Sequence, residues 1–300
     1  MKKKALITGV NGFTGRYVAA QLAALDFEVI GLVHNAPEQA IHGVSRVLAC
    51  DLLDLNQLKS ITSETQPDVV YHLAAISFVA HGDISSIYNT NIIGTRNLLQ
   101  ALVDSEIKPE SVLVASSANI YGNSESEYID ESVCANPAND YAVSKLATEY
   151  VAKLFMDKLP IIITRPFNYT GAGQSEKFLL PKIVSHFKSK APFIELGNLD
   201  VSRDFSDVRM VADAYIKLTN TPSAIGKTIN ICSGEVYTLG QVIEMSAKLS
   251  DHSLEVRVNP NFVRQNEVKI LRGNRSLLDS LIGTQDGYSL KETLSWMLSA

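Results

Sequence analysis

The sequence predicts an α/β protein with a doubly wound parallel sheet and a second, smaller α/β lobe. Short apolar runs alternate with amphipathic stretches through the first half of the chain. Several of these runs are apolar throughout, as expected for strands that helices cover on both faces of a sheet. A glycine-rich segment, residues 9–15, also separates the first apolar run from the first amphipathic stretch. Strands and helices in this order favour right-handed crossovers and hence parallel strands.

The elements of the first half follow from this alternation. The predicted strands are Ala5–Thr8, Glu28–Val33, Val47–Cys50, Val69–Ala74, Val112–Ser116 and Ile161–Thr164. Amphipathic periodicity predicts helices over Phe13–Leu25, Leu55–Glu64, Ile84–Asp104 and Tyr141–Lys158. Each strand is thus followed by a connection long enough to bring the chain from the carboxyl end of that strand to the amino end of the next.

The alternation weakens after Pro166, where glycines and Pro181 interrupt the pattern. A helix over Val208–Thr219 and a strand over Lys227–Cys232 predict a return to the sheet. The remaining tail predicts a helix, a strand, an irregular basic segment and a terminal helix ending near Trp296. We therefore expect one domain from residues 1–165 plus about 205–232, and a second from 166–204 plus 233–300.

Composition excludes several classes of protein. Of the 300 residues, 46% are hydrophobic and 20% are charged, and the net charge of −5 gives no basic surface for nucleic acid or an anionic membrane. No apolar run is long enough to span a bilayer or to form a signal peptide. The three cysteines lie in or beside apolar stretches and the histidines lack ligand spacing, so we expect reduced core thiols and no metal. A cytoplasmic protein is the expectation.

The glycine-rich segment reads Gly-x-x-Gly-x-x-Gly. Glycine allows a tight turn, a close approach of the backbone to a pyrophosphate and close packing of helix on strand. The helix that follows offers unpaired N–H groups to the phosphates. Alone, three spaced glycines are as often a plain turn, but this position favours a Rossmann-type dinucleotide site. The predicted cofactor residues here are Gly9, Asn11, Gly12, Phe13, Thr14 and Gly15.

Tyr141 and Lys145 are spaced i, i+4 on a predicted helix, which places both side chains on one face. Tyrosine titrates near pH 10, and a neighbouring ammonium together with an oxidised nicotinamide lowers that pKa towards the working range. Tyr141 can then donate a proton to a carbonyl oxygen, to which Ser117 also hydrogen-bonds. Without the glycine segment, a surface tyrosine and a solvated lysine would be the simpler interpretation.

Together these motifs resemble the extended short-chain dehydrogenase/reductase family. The resemblance rests on the glycine spacing and on an ordered series, namely Asp51-Leu52, Leu73-Ala74-Ala75, Asn91, Ser116-Ser117, Tyr141-x-x-x-Lys145 and Arg165-Pro166-Phe167-Asn168. It implies that Asp51 holds the adenine and that Lys145 binds the nicotinamide ribose. The other cofactor residues that it implies are Leu52, Leu73, Ala74, Ala75, Asn91 and Tyr141. Taken alone, Asp51 is equally well a turn cap. Family members dimerise through the helices predicted at 84–104 and 141–158, so a homodimer is expected.

The end of the second strand bears on the choice of cofactor. It reads His34-Asn35, with neither the acidic residue that holds an NAD ribose nor an arginine for a 2′-phosphate. NADPH is therefore acceptable and favoured, and use of NADH is also expected. His34 and Asn35 are included among the cofactor residues.

The nucleotide-sugar branch of the family carries out three related reactions. Its 4,6-dehydratases have an acidic pair after the serine or threonine that ends the fifth strand, where this chain has Ala118-Asn119. Neither residue can transfer protons, which disfavours dehydration. A 4-ketoreductase is favoured because the missing acid at the second strand suits a cofactor exchanged at every turnover. A 4-epimerase with tightly bound NAD stays open, as does a regulator that binds NADP(H) without turnover.

Segments 168–174, 201–208 and 264–274 most resemble the family's reductases of GDP-4-keto-6-deoxy-D-mannose, and its GDP-mannose 4,6-dehydratases next. The resemblance implies a GDP-linked 4-keto-6-deoxyhexose as substrate and GDP-D-rhamnose, a polysaccharide precursor, as product. The implied substrate residues are Ser77, Ser117 and Asn119 near the sugar, Asn168, Arg203 and Arg264 near the diphosphate, and Glu267 near the nucleoside. Each charged residue taken singly is equally well part of a surface ion pair. The nucleotide base and the product's stereochemistry stay open.

Overall fold

The structure, a computed structural model, describes residues 2–77, 83–122, 124, 126–262, 270–284 and 287–300. The strands are β1 Lys4–Thr8, β2 Glu28–Val33, β3 Arg46–Ala49, β4 Val69–His72, β5 Ser111–Ala115, β6 Ile161–Pro166, β7 Asn168–Thr170, β8 Phe193–Leu196, β9 Ser202–Asp207, β10 Thr228–Ile231, β11 Val236–Thr238, β12 Glu255–Val258 and β13 Ile270–Leu271. The helices are α1 Phe13–Ala24, α2 Leu55–Thr65, α3 Ile84–Tyr88, α4 Thr95–Asp104, α5 Asp140–Lys153, α6 Leu179–Lys188, α7 Val208–Thr219, α8 Leu239–Ser250, α9 Ser276–Ile282 and α10 Leu290–Ser299. A π-helical segment, Asn89–Gly94, joins α3 to α4.

The main sheet has seven parallel strands in the order β10-β6-β5-β4-β1-β2-β3. The predicted Rossmann-type doubly wound sheet is therefore confirmed. β1 lies between β2 and β4, and its last residue, Thr8, pairs with Leu32 on one side and His72 on the other. This is the point at which the strand order reverses, and ligands of such sheets bind outside the carboxyl ends of the strands there.

Helices cover both faces of the main sheet, as its apolar strands require. On one face, Leu22 of α1 and Leu218 of α7 pack with Ile7 and other strand residues. On the other face, Leu58 of α2 and Leu98 of α4 pack with the alternate strand residues. The two cores fix the positions of α1 and α5 relative to the carboxyl ends of the strands, where the predicted site residues lie.

The smaller lobe is built mainly from the second half of the chain. Its core lies between α6, α8 and α10, with Val184, Val242 and Leu294 among the buried residues. β9 pairs in parallel with β7 and β13 and antiparallel with β11, while β8 and β12 form a separate parallel pair. Leu278 of α9 packs into the core of the main sheet instead, so the tail contributes to both cores.

Several elements differ from the sequence-based expectation. β4 ends at His72 and not at Ala74, because the Ala74 N–H donates to the Thr8 side chain at 3.1 Å and leaves the strand ladder. α5 ends at Lys153, five residues early, and the turns that follow bury Phe155 in the core. Helix α9 was not predicted, because its seven residues are too few to establish a period.

The cysteine prediction holds for two of the three residues. Cys50 and Cys232 are buried free thiols, and Cys134 is also free but exposed. Cys134 lies in an irregular segment before α5, in which its neighbours Val133 and Ala135 pack against a core cluster while Cys134 itself is exposed. The expectation of three core thiols is therefore wrong for Cys134.

Candidate active site

The glycine-rich loop is closed by its own backbone and by the strand next to it. Gly9 donates to the Leu32 carbonyl of β2 at 2.9 Å, and Gly12 donates to the Gly9 carbonyl at 2.9 Å. A Cβ on Gly9 would lie 2.8 Å from the Ala74 Cα, and one on Gly15 would lie 2.4 Å from the Gly9 carbonyl oxygen. Glycine is therefore required where the loops after β1 and β4 meet and where α1 approaches β1.

The amino end of α1 suits a pyrophosphate. Its N-cap, Gly12, supplies no side-chain cap, the first turn holds no acidic residue, and Asn11 and Gly12 are exposed. Uncapped N–H groups at an accessible helix start favour an anion. Phe13 and Thr14 complete this turn, and both are partly buried. The residues present therefore fit a dinucleotide, and Gly9 to Gly15 would hold its phosphates.

A buried hydrogen-bond chain ties the loops of the reversal point together. The Thr8 hydroxyl accepts from the Ala74 N–H and donates to His72 Nδ1 at 2.7 Å. His72 Nε2 lies 2.8 Å from Thr95 Oγ1, which donates to the Asn91 carbonyl at 2.6 Å. Burial, together with the neighbouring Lys145 ammonium, lowers the pKa of His72 to about 3, so His72 is neutral. His72 therefore has a structural role, which its position in the sequence does not indicate.

Asn91 lies deeper than the other predicted cofactor residues. It is 1% exposed, and its amide donates to the Ile76 carbonyl at 3.1 Å and to Ser144 Oγ at 2.9 Å. Its carbonyl oxygen accepts from the Ile76 N–H at 2.8 Å. Asn91 therefore joins the loop after β4, which contains Leu73, Ala74 and Ala75, to the helix that carries Tyr141.

The residues expected around the adenosine lie at the ends of β2 and β3. His34 and Asn35 are exposed directly after β2. Asp51 is exposed and accepts from the Leu53 N–H at 2.9 Å, so it caps its own turn, while Leu52 is buried. In this structure the Asp51 carboxylate therefore accepts a hydrogen bond within its own turn. Its contact with adenine stays a prediction.

An exposed arginine lies on α1 close to the glycine-rich loop, although none follows β2 in sequence. Arg16 of α1 donates from Nε to the Asn11 carbonyl at 3.1 Å. The loop holding Asn11 lies against β2, because Val10 packs where a Cβ on Gly31 would be only 2.3 Å away. Arg16 is exposed on the first turns of α1 and supports this loop through the Asn11 carbonyl.

Ser117, Tyr141 and Lys145 come together at the carboxyl end of β5. Ser117 shares a side-chain hydrogen bond with Tyr141 and accepts from the Asn119 N–H at 3.2 Å. Lys145 is 4% exposed, and its ammonium donates to the Ala115 carbonyl at 2.6 Å. Asn139 caps α5 by accepting from the Ala142 N–H at 2.9 Å, which fixes the first turn that carries Tyr141. The geometry thus brings the three predicted catalytic residues into one cluster.

The two titratable groups of this cluster depart from their ordinary pKa values. Burial, with the nearby Tyr169 phenol, raises the pKa of Tyr141, and the hydrogen bond to Ser117 offsets part of the rise. The direction differs from the expected lowering, because burial outweighs the other groups of the chain. Burial lowers the pKa of Lys145 to about 8 against the opposing effect of Glu149. Tyr141 is therefore a protonated phenol, the form that donates a proton, beside a lysine that titrates near neutrality.

Tyr169 is a contact that sequence reasoning missed. Its hydroxyl lies 2.7 Å from Thr14 Oγ1, and its ring stacks on Phe13 at a centroid distance of 6.1 Å. Tyr169 thereby joins the start of α1 to β7 and the surroundings of Tyr141. Thr14 and Tyr169 are 155 residues apart, so no local pattern predicts their contact. The only signal in the sequence is the neighbouring motif that ends at Asn168.

Besides Ser117, the structure describes four of the predicted substrate residues. Asn168 begins β7, and its buried Nδ2 has no hydrogen-bond partner among the described residues. Arg203 on β9 is partly buried and donates to the Ser202 carbonyl at 2.9 Å. Ser77 and Asn119 are exposed at the ends of β4 and β5. Arg264 and Glu267 lie outside the described residues. An unpartnered buried amide is a group that a polar ligand can satisfy.

The described residues contain neither a membrane-spanning helix nor a metal-binding group. In those segments no helix is both long enough and apolar enough to cross a membrane. The same part of the chain contains no group of three or more His, Cys, Asp or Glu side chains placed to hold a metal.

The chain is similar to known proteins over nearly all of its length. The model of the family described as GDP-mannose 4,6 dehydratase matches residues 6–297. A GDP-6-deoxy-D-talose 4-dehydrogenase of Aggregatibacter actinomycetemcomitans is 35% identical, covering 93% of this chain and 91% of the relative. A GDP-6-deoxy-D-mannose reductase of Pseudomonas aeruginosa is 32% identical, covering 100% of this chain and 97% of the relative.

Solved structures agree over nearly the whole chain. A protein of Burkholderia cenocepacia J2315, provisionally described as an epimerase, is 48% identical with a TM-score of 0.94, covering 99% of this chain and 97% of that one. The structure of RMD from Pseudomonas aeruginosa complexed with NADPH is 31% identical with a TM-score of 0.86, covering 99% and 98%. The chain therefore belongs to the GDP-mannose 4,6 dehydratase family of extended short-chain dehydrogenases/reductases.

Proposed function

We propose that this enzyme reduces the 4-keto group of a GDP-linked 4-keto-6-deoxyhexose, forming GDP-D-rhamnose from GDP-4-keto-6-deoxy-D-mannose. NADPH, and to a lesser degree NADH, supplies the hydride when bound. The observation that carries the proposal is the cluster of Ser117, Tyr141 and Lys145 at the carboxyl end of β5, beside a loop suited to a dinucleotide.

The chain's own groups have a distinct role in this reaction. Ser117 positions the carbonyl oxygen by a hydrogen bond, and the Tyr141 phenol donates its proton to that oxygen. The Lys145 ammonium stabilises the phenolate that remains on Tyr141. Because the pKa of Tyr141 is raised, the phenol is fully protonated before each reduction.

The residues after β5 do not suit dehydration. Ala118 is buried and Asn119 is exposed in the short helical turn that Ser117 caps. A dehydratase needs an acid for the departing hydroxyl and a base for the neighbouring carbon, and neither residue can serve. Membership of a family described as a dehydratase is therefore compatible with a reductase here.

The GDP-sugar substrate is inferred from the two curated relatives, whose names both specify GDP-linked 6-deoxyhexoses. Asn168 supports it, because no described residue accepts a hydrogen bond from its buried Nδ2, which can therefore donate to a polar group of the substrate. Arg203 and Arg264 would bind the diphosphate through the forked geometry of the guanidinium, and Glu267 the nucleoside.

The proposal is tested by supplying GDP-4-keto-6-deoxy-D-mannose with NADPH or NADH and following absorbance at 340 nm. The expected result is stoichiometric oxidation of the cofactor and appearance of GDP-D-rhamnose. The dTDP- and UDP-linked 4-keto-6-deoxyhexoses are the matched controls and should react more slowly. No cofactor oxidation with the GDP-sugar, or preference for another base, would contradict the assignment.

Two alternatives are supported by specific relatives. The talose enzyme is 35% identical, and talose differs from mannose in configuration at C4, so reduction from the opposite face would give GDP-6-deoxy-D-talose. The structure provisionally described as an epimerase is 48% identical. An epimerase would be purified with tightly bound NAD and would interconvert two sugars without net cofactor consumption, whereas proton NMR of the reduced product separates rhamnose from talose.

We also propose a homodimer formed through the helices between β4 and β5 and helix α5. Apolar side chains on these elements are exposed, including Ile93 at 44%, Tyr150 at 63% and Leu154 at 74%. Surfaces of this kind favour association. Sedimentation should give a dimeric mass for the wild type and a monomeric mass for Leu154→Glu; a monomeric wild type contradicts the proposal.

A further inference from the structure

A buried ion pair lies directly behind the catalytic residues. Glu149 has no exposed surface and lies on α5, one turn beyond Lys145. Arg165 of β6 donates from Nε to one Glu149 carboxylate oxygen at 2.9 Å and from Nη2 to the other at 2.8 Å. Arg165 also donates to the Tyr121 hydroxyl at 2.8 Å. The pair joins α5 to β6. Removing either partner would destabilise the protein, because the other charge would stay buried without compensation.

The same carboxylate also holds the strand end that carries Ser117. Ser116 donates from Oγ to Glu149 Oε1 at 2.6 Å, and the preceding carbonyl, that of Ala115, accepts from the Lys145 ammonium at 2.6 Å. Lys145 and Glu149 of α5 therefore hydrogen-bond to two consecutive residues at the end of β5. The next residue is Ser117, so these two hydrogen bonds fix the distance between Ser117 and Tyr141.

Charge adds to the mechanical effect. The charged or titratable neighbours that act on Lys145 are Glu149 on its own helix and His72 from β4, and Arg165 of β6 pairs with the Glu149 carboxylate. His72 is neutral and the Tyr141 phenol is protonated. Burial lowers the pKa of Lys145 to about 8, and Glu149 opposes that effect. The Glu149 carboxylate thus favours the cationic form of a lysine that is otherwise poorly solvated.

We propose that Glu149, anchored by Arg165, is a positioning residue of the reduction, which keeps Lys145 cationic and holds Ser117 in register with Tyr141. The inference rests on the proposed ketone reduction, in which a cationic lysine stabilises the tyrosinate left after proton transfer. Glu149 contacts neither substrate nor cofactor in this role. Its effect passes through Lys145 and through the end of β5.

The test is Glu149→Gln, which removes the charge and retains the size of the side chain. Lys145 then loses its proton at lower pH, so the alkaline limb of the kcat profile should move down by about one pH unit. The rate at pH 8.5 should fall about tenfold relative to wild type, with little change at pH 6.5. A purely structural role would lower the rate equally at every pH.

A second readout does not depend on turnover. The ¹³Cε resonance of Lys145, assigned by its disappearance in Lys145→Met, reports the protonation of this lysine directly. Its titration midpoint should move down in Glu149→Gln by the same amount as the kinetic limb. If the variant retains both midpoints, the proposal is overturned. If the resonance moves but the wild type reduces no 4-keto sugar, the electrostatic effect stands and the proposed function is the part that fails.

Three further variants separate charge, position and folding. Glu149→Asp retains the charge on a shorter side chain and should lower kcat at all pH values without moving the limb. Asp157→Asn removes an exposed carboxylate just beyond α5 and should change neither quantity. Should Glu149→Gln be too unstable to purify, Glu149→Gln with Arg165→Met removes both charges and should move the midpoint in the same direction, but less. A midpoint equal to that of the wild type in this double variant would also overturn the proposal.

Discussion

Replacing Gly15 with alanine tests the reasoning about the glycine-rich loop most sharply. The added Cβ would lie 2.4 Å from the Gly9 carbonyl oxygen, 2.7 Å from the Val10 Cα and 2.9 Å from the Val10 carbonyl oxygen. All three neighbours are backbone atoms, so the loop must move as a unit and cannot relieve the contact by a rotamer change. Overpacking of this kind costs about 1–3 kcal/mol, and alanine's higher helix propensity offsets about 1 kcal/mol of it.

The matched control is Gly240→Ala, also near the amino end of a helix. Its Cβ would meet only Thr238 Oγ1, at 3.8 Å, so propensity acts without steric conflict. By thermal denaturation, Gly240→Ala should be as stable as wild type or more so, and Gly15→Ala should be less stable than the control. NADPH affinity, measured by fluorescence titration, should fall at least tenfold (about 1.4 kcal/mol) in Gly15→Ala alone. Equal melting temperatures and unchanged NADPH affinity in the two variants would refute the assignment of this loop.

Three further predictions concern the reaction and its cofactor. Tyr141→Phe should lower kcat by about 10²–10⁴ while NADPH affinity stays near that of wild type, whereas a regulator that only binds the cofactor would be unaffected in its response. The rate of reduction should decline as pH rises through about 8, because Lys145 has a pKa of about 8 and loses its cationic form there; a flat profile from pH 6 to 9.5 would contradict this. Arg16→Ala should raise the KM for NADPH several-fold and leave that for NADH unchanged, since an exposed cation at the loop expected to hold the cofactor favours the additional phosphate of NADPH. Equal effects on the two cofactors, or weaker binding of 5′-AMP as much as of 2′,5′-ADP, would show that Arg16 supports the loop and not the phosphate.

Much of the main sheet could be predicted from sequence, because its strands are uniformly apolar and its helices keep a regular period. The strand Glu28–Val33 and the helix Val208–Thr219 have the predicted bounds. In the second case Asp207 marks the start by accepting from the Arg209 N–H. The π-helical segment Asn89–Gly94 was not predictable, because apolar periodicity does not distinguish one wider turn within a long helix.

The candidate site divides in the same way. Tyr141 and Lys145 were predictable since their spacing is local and both lie on one helix. The ion pair of Glu149 and Arg165 joins separate elements 16 residues apart, and the Thr14–Tyr169 contact spans 155 residues. Contacts between elements depend on how the sheet and helices pack, which no local pattern encodes. Glu149 did leave one signal, since it continues the four-residue spacing of Tyr141 and Lys145.

The central claim is that hydride passes to C4 of a GDP-linked ketone while Tyr141 supplies the proton. The most direct measurement uses [4,4-²H₂]NADPH with GDP-4-keto-6-deoxy-D-mannose and locates the deuterium in the product by NMR. We expect one deuterium at C4 of GDP-D-rhamnose for each cofactor oxidised, and none at C3 or C5. Interconversion of sugars without net cofactor oxidation, or deuterium at any carbon other than C4, would contradict the account.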